Sequence, residues 1–563
     1  MFSPVSTPFA EENPLTGFQN SVMSIYNKTD YPVLFKLAQE LYLKSCDDDL
    51  KDFPLSEREK FLKSGNRQDF EKLYFKRRDY LSATAILSLF DDSYISKLEK
   101  VISAVCDECS WMLPAHIIHG ENFIDLFVAE TSFALAEIST VFKDKMTPET
   151  YNRVRKEIKS RLLDNYIQNT FWWESCEMNW ASVCASYIGG TLLYLFPGEF
   201  LKLRERILKT LERYISGFTD DGFCFEGPSY WQYGFTAYCV FADMLYKFTA
   251  GKSDLFDCPK IKNIASYGEK CRLKGGASLS FSDSDMKFTA DYALQNYIHG
   301  KLPGTSPCRN MTNDNLAATN TKWINCYRAV IWEASDDITP SLKNKGAYSP
   351  VANQLIVNKD IYSFAFKGGS NGEPHNHNDL GSFIYADNDG QVFCDLGSGR
   401  YTGDYFDEKK RYGIFCNSSF SHSVPVINGK SQLCGKEYTA SLSCENGTAV
   451  CDITKPYGEK ELISALREAE IKENGITITD KFRFCDNLCI TERFVSLRKA
   501  EIKKDALVFG RTKMLYPLDK VILSVKEEKH TPHEYNADDI TVYCYDFLLK
   551  EGVSELSFEI ITE

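Results

Sequence analysis

Residues 368–406 read GGSNGEPHNHNDLGSFIYADNDGQVFCDLGSGRYTGDYF, and the rest of the chain is best read outward from them. His375 and His377 stand two positions apart, Asp379 follows, and an apolar, turn, apolar passage leads on to Asp395. SFIYA and QVFCD are strand-like runs, and the Asp389–Gly390 pair between them predicts a tight hairpin that turns Asp395 back toward the histidine loop. His422 follows in SFSHSVPVING and is one of eight histidines in the chain. Neutral imidazole and carboxylate together suit zinc or a similar divalent ion, so His377, Asp395 and His422 make a candidate three-ligand site. The alternative is a polar loop whose side chains cap a strand, and spacing alone leaves both open.

On either side of this stretch the hydrophobic period differs. From about residue 30 to about 330 it is helical: IDLFVAETSFALAEISTVF places Ile124, Phe127, Val128, Leu135, Ile138 and Phe142 at three-and-four spacing, which predicts an amphipathic helix. DYLSATAILSLF, PETYNRVRKEIKSRLLDNYI, WASVCASYIGGTLLYLF and SYWQYGFTAYCVFADMLYKF repeat the pattern, so antiparallel helical hairpins in a ring or layered array are expected. The segment from about 305 to 350, rich in Pro, Asn, Thr and Ser, loses the helical period and predicts a connection between domains. After it the period becomes two. ANQLIVNKD, IYSFAFKGG, ISALREAEI, GITITDKFRF and LCITERFVSL predict strands, with turns at Asn446–Gly447 and Asn474–Gly475. Helices first and strands second imply an all-α domain, 1–335, followed by an antiparallel β-sandwich, 336–563.

Composition narrows the function classes. The chain has 563 residues, 43% apolar and 25% charged, which is the profile of a soluble globular protein. MFSPVSTPFAEENPL lacks a basic start and an apolar run, and no segment has the apolar length of a membrane span, so a cytoplasmic protein without membrane partners is expected. The 19 cysteines are odd in number and most sit among apolar neighbours, which argues against a disulfide scaffold. A net charge of −13 argues against broad nucleic-acid binding, although local donors can still hold a small anion.

Two passages in the helical half carry polar groups among aromatics near helix starts: WWESCEMNWASVCASYIGG, with Asn179, and DGFCFEGPSYWQYG, with Glu226, Tyr230 and Tyr233. Taken alone they read more readily as packing residues with hydrogen-bonded tips. Together with HNHND, DLGSG and SHSVPVING, in that order along most of the chain, they give a sequence that resembles the heparinase II/III-like polysaccharide lyases.

The resemblance implies an incomplete (α/α) toroid followed by an antiparallel β-sandwich, with an active cleft between them. It implies cleavage of uronic-acid-containing glycans, of heparin, heparan or alginate type, by β-elimination to unsaturated products. Carried over by position, Asn179 matches the binder of the uronate carboxylate, Tyr230 the catalytic tyrosine and His375 the catalytic histidine. His377, Asp395 and His422 match the metal positions of zinc-binding relatives, where the ion is expected to be structural. Many relatives have Asn after the last histidine; here it is Ser423. Tyr233 is the reserve choice for the catalytic tyrosine, and Glu226, His116 of WMLPAHIIHG and Tyr401 are candidate substrate contacts.

The chemistry requires these groups. The C5 proton of a uronate is weakly acidic, so its carboxylate must be held by donors such as Asn179 while a base reaches C5 and an acid reaches O4. Tyr230 can fill both roles, or act as acid with His375 as base. The expected partner is an anionic oligosaccharide, and the missing leader favours short imported oligosaccharides and exolytic action. The sequence leaves the oligomeric state unspecified. Two rivals are a zinc-dependent hydrolase, disfavoured by the segregation of helices from strands, and a glycan-binding protein without catalysis, against which Asn179, Tyr230 and His375 speak together.

Overall fold

The computed structural model describes residues 31–120, 122–287, 289–317, 322–332, 346–486, 488–533 and 537–563. The expected boundary at 335/336 and the segment MFSPVSTPFAEENPL lie outside these residues. Contacts divide the chain into two compact units, the first drawn from 1–218, 232–266 and 289–342 and the second from 219–231, 267–288 and 343–563. Two segments from the helical half of the sequence therefore belong with the strands. Both carry residues of the site described below.

The first unit is helical. Pro32–Leu43 packs on Gln68–Phe90, which also meets Ile95–Asp107 and Lys322–Ile331; Leu126–Val141 packs on Asn179–Leu195, which packs on Pro197–Ser216. Helix starts follow sequence chemistry: Thr147 accepts from Thr150 N and precedes Pro148, and Asp125 accepts from Val128 N at 2.8 Å. PETYNRVRKEIKSRLLDNYI forms a nearly continuous rod, but with a π-helical turn at Lys159–Leu163 between Pro148–Ile158 and Asp164–Gln168.

Leu126–Val141 differs from its one-faced expectation. Apart from Ala134 every residue in it is buried, Glu130 and Glu137 included. Neighbouring helices cover its polar side as well, and Glu137 is satisfied there by Tyr194, Trp323 and Arg328. Among the described residues no helix is long and apolar enough to cross a membrane.

The second unit holds the strands, all paired antiparallel among the described residues, in sheets of five, nine and four strands. The expected strands appear as Gln354–Asn358, Tyr362–Lys367, Phe383–Asp387, Gly390–Phe393, Leu462–Ile471, Gly475–Phe484 and Ile490–Ser496. Glu445 pairs with Thr448 across Asn446 and Gly447, both at positive φ, as a two-residue primed turn requires. The hairpin in the central stretch is offset by one residue: Asp387 pairs with Gly390, so the turn is Asn388–Asp389, closed by Asp389 N donating to Asp387 Oδ1 at 2.9 Å.

Inward-facing aromatics, among them Phe364, Phe383, Phe393, Phe494, Phe547 and Phe558, fill the core of this unit. Within it, Arg467 donates to both oxygens of Asp480, to Glu492 and to the carbonyls of Gly381 and Ser423, and all three charged side chains are fully buried. Arg467 thereby ties the sheet to the loops that carry the histidines. Truncation to Arg467→Met should strand two buried acids and cost roughly 3–5 kcal/mol of stability in urea denaturation; a loss under about 1 kcal/mol would show that the acids simply take up protons.

Candidate active site

The helix Pro228–Phe248 starts directly after Glu226 and Gly227, with proline at a first-turn position where its missing N–H costs nothing. Tyr230, in that first turn, lies over the imidazole of His375 with ring centroids 4.0 Å apart and planes 24° from parallel. Its hydroxyl meets that of Tyr401 at 2.8 Å. Glu226 Oε1 is 3.6 Å from His375 Nε2. The structure thus gathers Glu226, Tyr230, His375 and Tyr401, four of the residues singled out in sequence, within the second unit.

What holds them was not among those candidates. Asp283, 3% exposed, receives His375 Nδ1 at 2.9 Å and Arg411 Nη2 at 2.9 Å on Oδ2, and His377 Nε2 at 3.0 Å and the Tyr405 hydroxyl at 2.5 Å on Oδ1. Burial alone would raise its pKa, but His375, His377 and Arg411 hold it well below the usual carboxylate value. An ionised carboxylate only accepts, so His375 presents Nδ1–H and His377 presents Nε2–H. His375 itself has φ 58, a left-handed conformation that non-glycine residues seldom adopt, and its carbonyl accepts from Asp283 N at 3.2 Å.

Two glycines of the motifs make room for the Asp283 segment. A Cβ on Gly227 would strike Ser284 Oγ, and one on Gly397 of DLGSG would strike the Ser284 carbonyl. Gly397 also has φ +60. Gly397→Ala should therefore lower stability by more than about 1 kcal/mol in thermal unfolding; melting together with the wild type would show that the 281–284 segment has slack.

His377, Asp395 and His422 converge as expected: one ligand atom from each lies within 4.8 Å of the others, and all three are fully buried. Their surroundings fit a cation. His422 Nε2 donates to the Cys416 carbonyl at 3.0 Å, which leaves Nδ1 facing Asp395 Oδ2 at 3.1 Å. A positive centre, proton or metal, must lie between two such acceptors. His377 Nδ1 is buried without a hydrogen-bond partner, and burial lowers the pKa of this imidazole, keeping it a neutral donor of its lone pair. The carboxylate of Asp283 behind His377 is the usual outer partner of a metal-bound histidine. Lys367, bonded to both oxygens of Asp379 at 2.7 and 2.9 Å, anchors the same loop. Next to His422, Ser423 Oγ accepts from Val495 N at 3.1 Å.

The remaining candidates belong to the first unit. Asn179 is the first residue of the helix Asn179–Leu195 and is 1% exposed. His116 Nδ1 is bonded to Asp125 Oδ2 at 2.7 Å, and its ring meets Trp180 edge-on at 5.0 Å. The Tyr233 hydroxyl donates to Glu130, whose pKa burial raises from 4.5 to about 8. A carboxyl raised in the fold stabilises it below the unfolded value and loses that contribution as pH climbs through the folded one. Stability should thus decline between about pH 4.5 and 8, and Glu130→Gln should flatten that decline in melts taken across the range; an unchanged slope would assign it to other groups.

No protein-family model matches the chain, and no curated protein matches it by sequence. Solved structures do. A crystal structure of heparinase III matches over 100% of this chain and 86% of its own, with TM-score 0.63 at 11% identity. The chain has the fold of these lyases. Heparan sulfate lyase HepC from Pedobacter heparinus matches over 88% of this chain and 76% of its own, with TM-score 0.55 at 14% identity. The chondroitin AC lyase of Streptomyces coelicolor A3, solved with chondroitin sulphate, matches over 98% and 83%, with TM-score 0.57 at 8% identity. The fold is accordingly that expected from sequence, an α/α toroid followed by an antiparallel β-sandwich.

Proposed function

We propose that this protein is a polysaccharide lyase that cleaves uronic-acid-containing glycans by β-elimination, with heparan-type glycosaminoglycans as its first substrate class and alginate as the second. The observation that carries the reading is the stack of Tyr230 on His375, with Asp283 fixing Nδ1 and leaving Nε2 as acceptor.

In this mechanism His375 Nε2 takes the C5 proton. The electron pair of that C–H bond forms the C4–C5 double bond, the C4–O4 bond breaks, and O4 takes the proton of the Tyr230 hydroxyl. The division of labour follows from the electrostatics: burial and then the Asp283 charge raise the Tyr230 pKa, so the phenol stays protonated and serves as an acid rather than a base. Tyr401, bonded to the same oxygen, supports the phenolate left behind. Asn179 is proposed on the resemblance as the donor to the uronate carboxylate, and His116 and Glu226 as further substrate contacts. Tyr233, committed to Glu130, is the weaker choice for the acid.

His377, Asp395 and His422 would hold a zinc ion, which would supply a fixed positive centre pinning the histidine loop to the sandwich. Complete burial of all three side chains supports that structural role over water activation, and so the lyase over the hydrolase. Action on short oligosaccharides from a chain end is part of the proposal.

The test is ultraviolet absorbance of the unsaturated uronate as the protein meets heparan, chondroitin and alginate oligosaccharides. Wild type should give a rise on at least one of them, and Tyr230→Phe and His375→Ala should each lower kcat by roughly 100-fold or more. No rise on any uronate, or full activity in Tyr230→Phe, would overturn the assignment.

A further inference from the structure

When Tyr230 gives its proton to O4, its oxygen must carry the negative charge, and the Tyr401 hydroxyl is the partner of that oxygen at 2.8 Å. A donor stabilises developing charge only while it is aimed at it, so whatever aims Tyr401 bears on the rate. The Tyr401 ring meets three others. Tyr405 and Phe406, from the turn that follows it in sequence, lie at centroid distances of 4.8 and 4.9 Å with planes 45° and 75° apart. His533 lies at 3.7 Å with planes 32° apart, the nearest and most nearly parallel of the three. It comes from elsewhere in the unit, the connection after the strand Val521–His530. We infer that His533 is a positioning residue that holds the Tyr401 hydroxyl on Tyr230 by stacking on the Tyr401 ring. The inference rests on the role of Tyr230 proposed above.

The backbone on both sides of the stack is tied for this contact. Gly399 and Pro532 form an antiparallel bridge, Arg400 N donates to the Thr531 carbonyl at 3.1 Å, and the Thr531 hydroxyl donates to Asp539. The approach at Gly399 is close enough that a Cβ there would strike Cys416 Sγ. His530, where the connection begins, is 4% exposed and so well anchored. His533 itself is exposed, so its ring buries little apolar area and contributes little to the stability of the fold. What it contributes is direction: near-parallel rings resist sliding past each other, and the Tyr401 hydroxyl keeps its bond to Tyr230 in place of one to water. That bond gains strength when the phenolate forms, which happens only in the transition state, so loss of the stack lowers kcat and leaves KM in place. The imidazole nitrogens have no part in the effect.

The experiment compares His533→Ala, His533→Phe, Tyr401→Phe and the double variant His533→Ala with Tyr401→Phe, using the ultraviolet assay on a uronate oligosaccharide that the wild type cleaves and crystal structures of the two His533 variants. His533→Ala should lower kcat roughly 10-fold with KM changed by less than about 2-fold. Its crystal structure should show the Tyr401 hydroxyl beyond hydrogen-bonding distance of Tyr230. His533→Phe, which keeps a stacking ring and lacks the nitrogens, should rescue both. In the Tyr401→Phe background the loss of His533 should cost less than about 2-fold, because the hydroxyl it positions is gone. Tyr401 still bonded to Tyr230 in His533→Ala would overturn the inference, as would a phenylalanine that fails to rescue or losses that multiply in the double variant. A raised KM with kcat intact would overturn it too, and make His533 a substrate contact. If His533→Ala does not fold, His533→Gln, which fills the space without a ring, takes its place. The crystal structures do not use turnover: a displaced Tyr401 in a protein that cleaves no uronate would sink the proposed reaction and leave the positioning role standing, and an active lyase indifferent to His533→Ala would do the reverse.

Discussion

An ionised carboxylate taken wholly out of water is tolerated only where donors replace its hydration, and Asp283 meets that demand with two imidazoles, a guanidinium and a phenol. Each of those donors is thereby fixed in direction and tautomer. The consequences spread outward: His375 is held under Tyr230, His377 turns Nδ1 toward Asp395 and His422, and Arg411 and Tyr405 are drawn in from the segment after DLGSG. Removal of that one carboxylate would leave several donors with no common acceptor. The glycines at 227 and 397 are the steric counterpart, since they allow the chain around Ser284 to approach closely enough for Asp283 to reach.

Behind this lies a second tier of buried charge. Lys367 and Asp379 pair at the histidine loop, and Arg467 bonds the carbonyls of Gly381 and Ser423 while also donating to Asp480 and Glu492. Such groups are costly to desolvate and contribute little net stability compared with apolar packing, but they are directional in a way that phenylalanines are not. That directionality suits loops that hold three imidazoles in fixed orientations. The core of Phe364, Phe383, Phe393 and Phe494 provides cohesion, and the ion pairs set where the loops leave it.

Much of this was legible in sequence because it depends on local period and local chemistry. The period-two runs became strands, Asn446–Gly447 became a primed turn, and His377, Asp395 and His422 converged, since a hairpin brings Asp395 back whatever the rest of the chain does. Asp283 was not legible. It lies 92 positions before His375, in SFSDSD, a segment with no period or motif to mark it, and its meaning comes entirely from tertiary contacts. Arg411 and Tyr405 were invisible for the same reason. The helix Leu126–Val141 misled in the opposite way: its apolar stripe was real, but burial of its polar face depends on neighbours that no single helix can announce. Likewise SYWQYG offered two tyrosines one turn apart, and only their partners, His375 for Tyr230 and Glu130 for Tyr233, separate them.

The electrostatics of the stack also constrain the proposed chemistry. Asp283 holds one side of the His375 imidazole, and Glu226 Oε1 lies 3.6 Å from the nitrogen on the other. Burial and then the Asp283 charge oppose a phenolate on Tyr230, which is why a resting tyrosinate base is disfavoured here. Once His375 has taken the C5 proton and Tyr230 has given up its own, the two charges arise together in rings whose centroids are 4.0 Å apart. The imidazolium compensates the phenolate, and the net charge of the pair is the same before and after the step. A same-residue mechanism, with Tyr230 as both base and acid, would instead begin from an isolated phenolate beside two carboxylates and gain nothing from the ring beneath it.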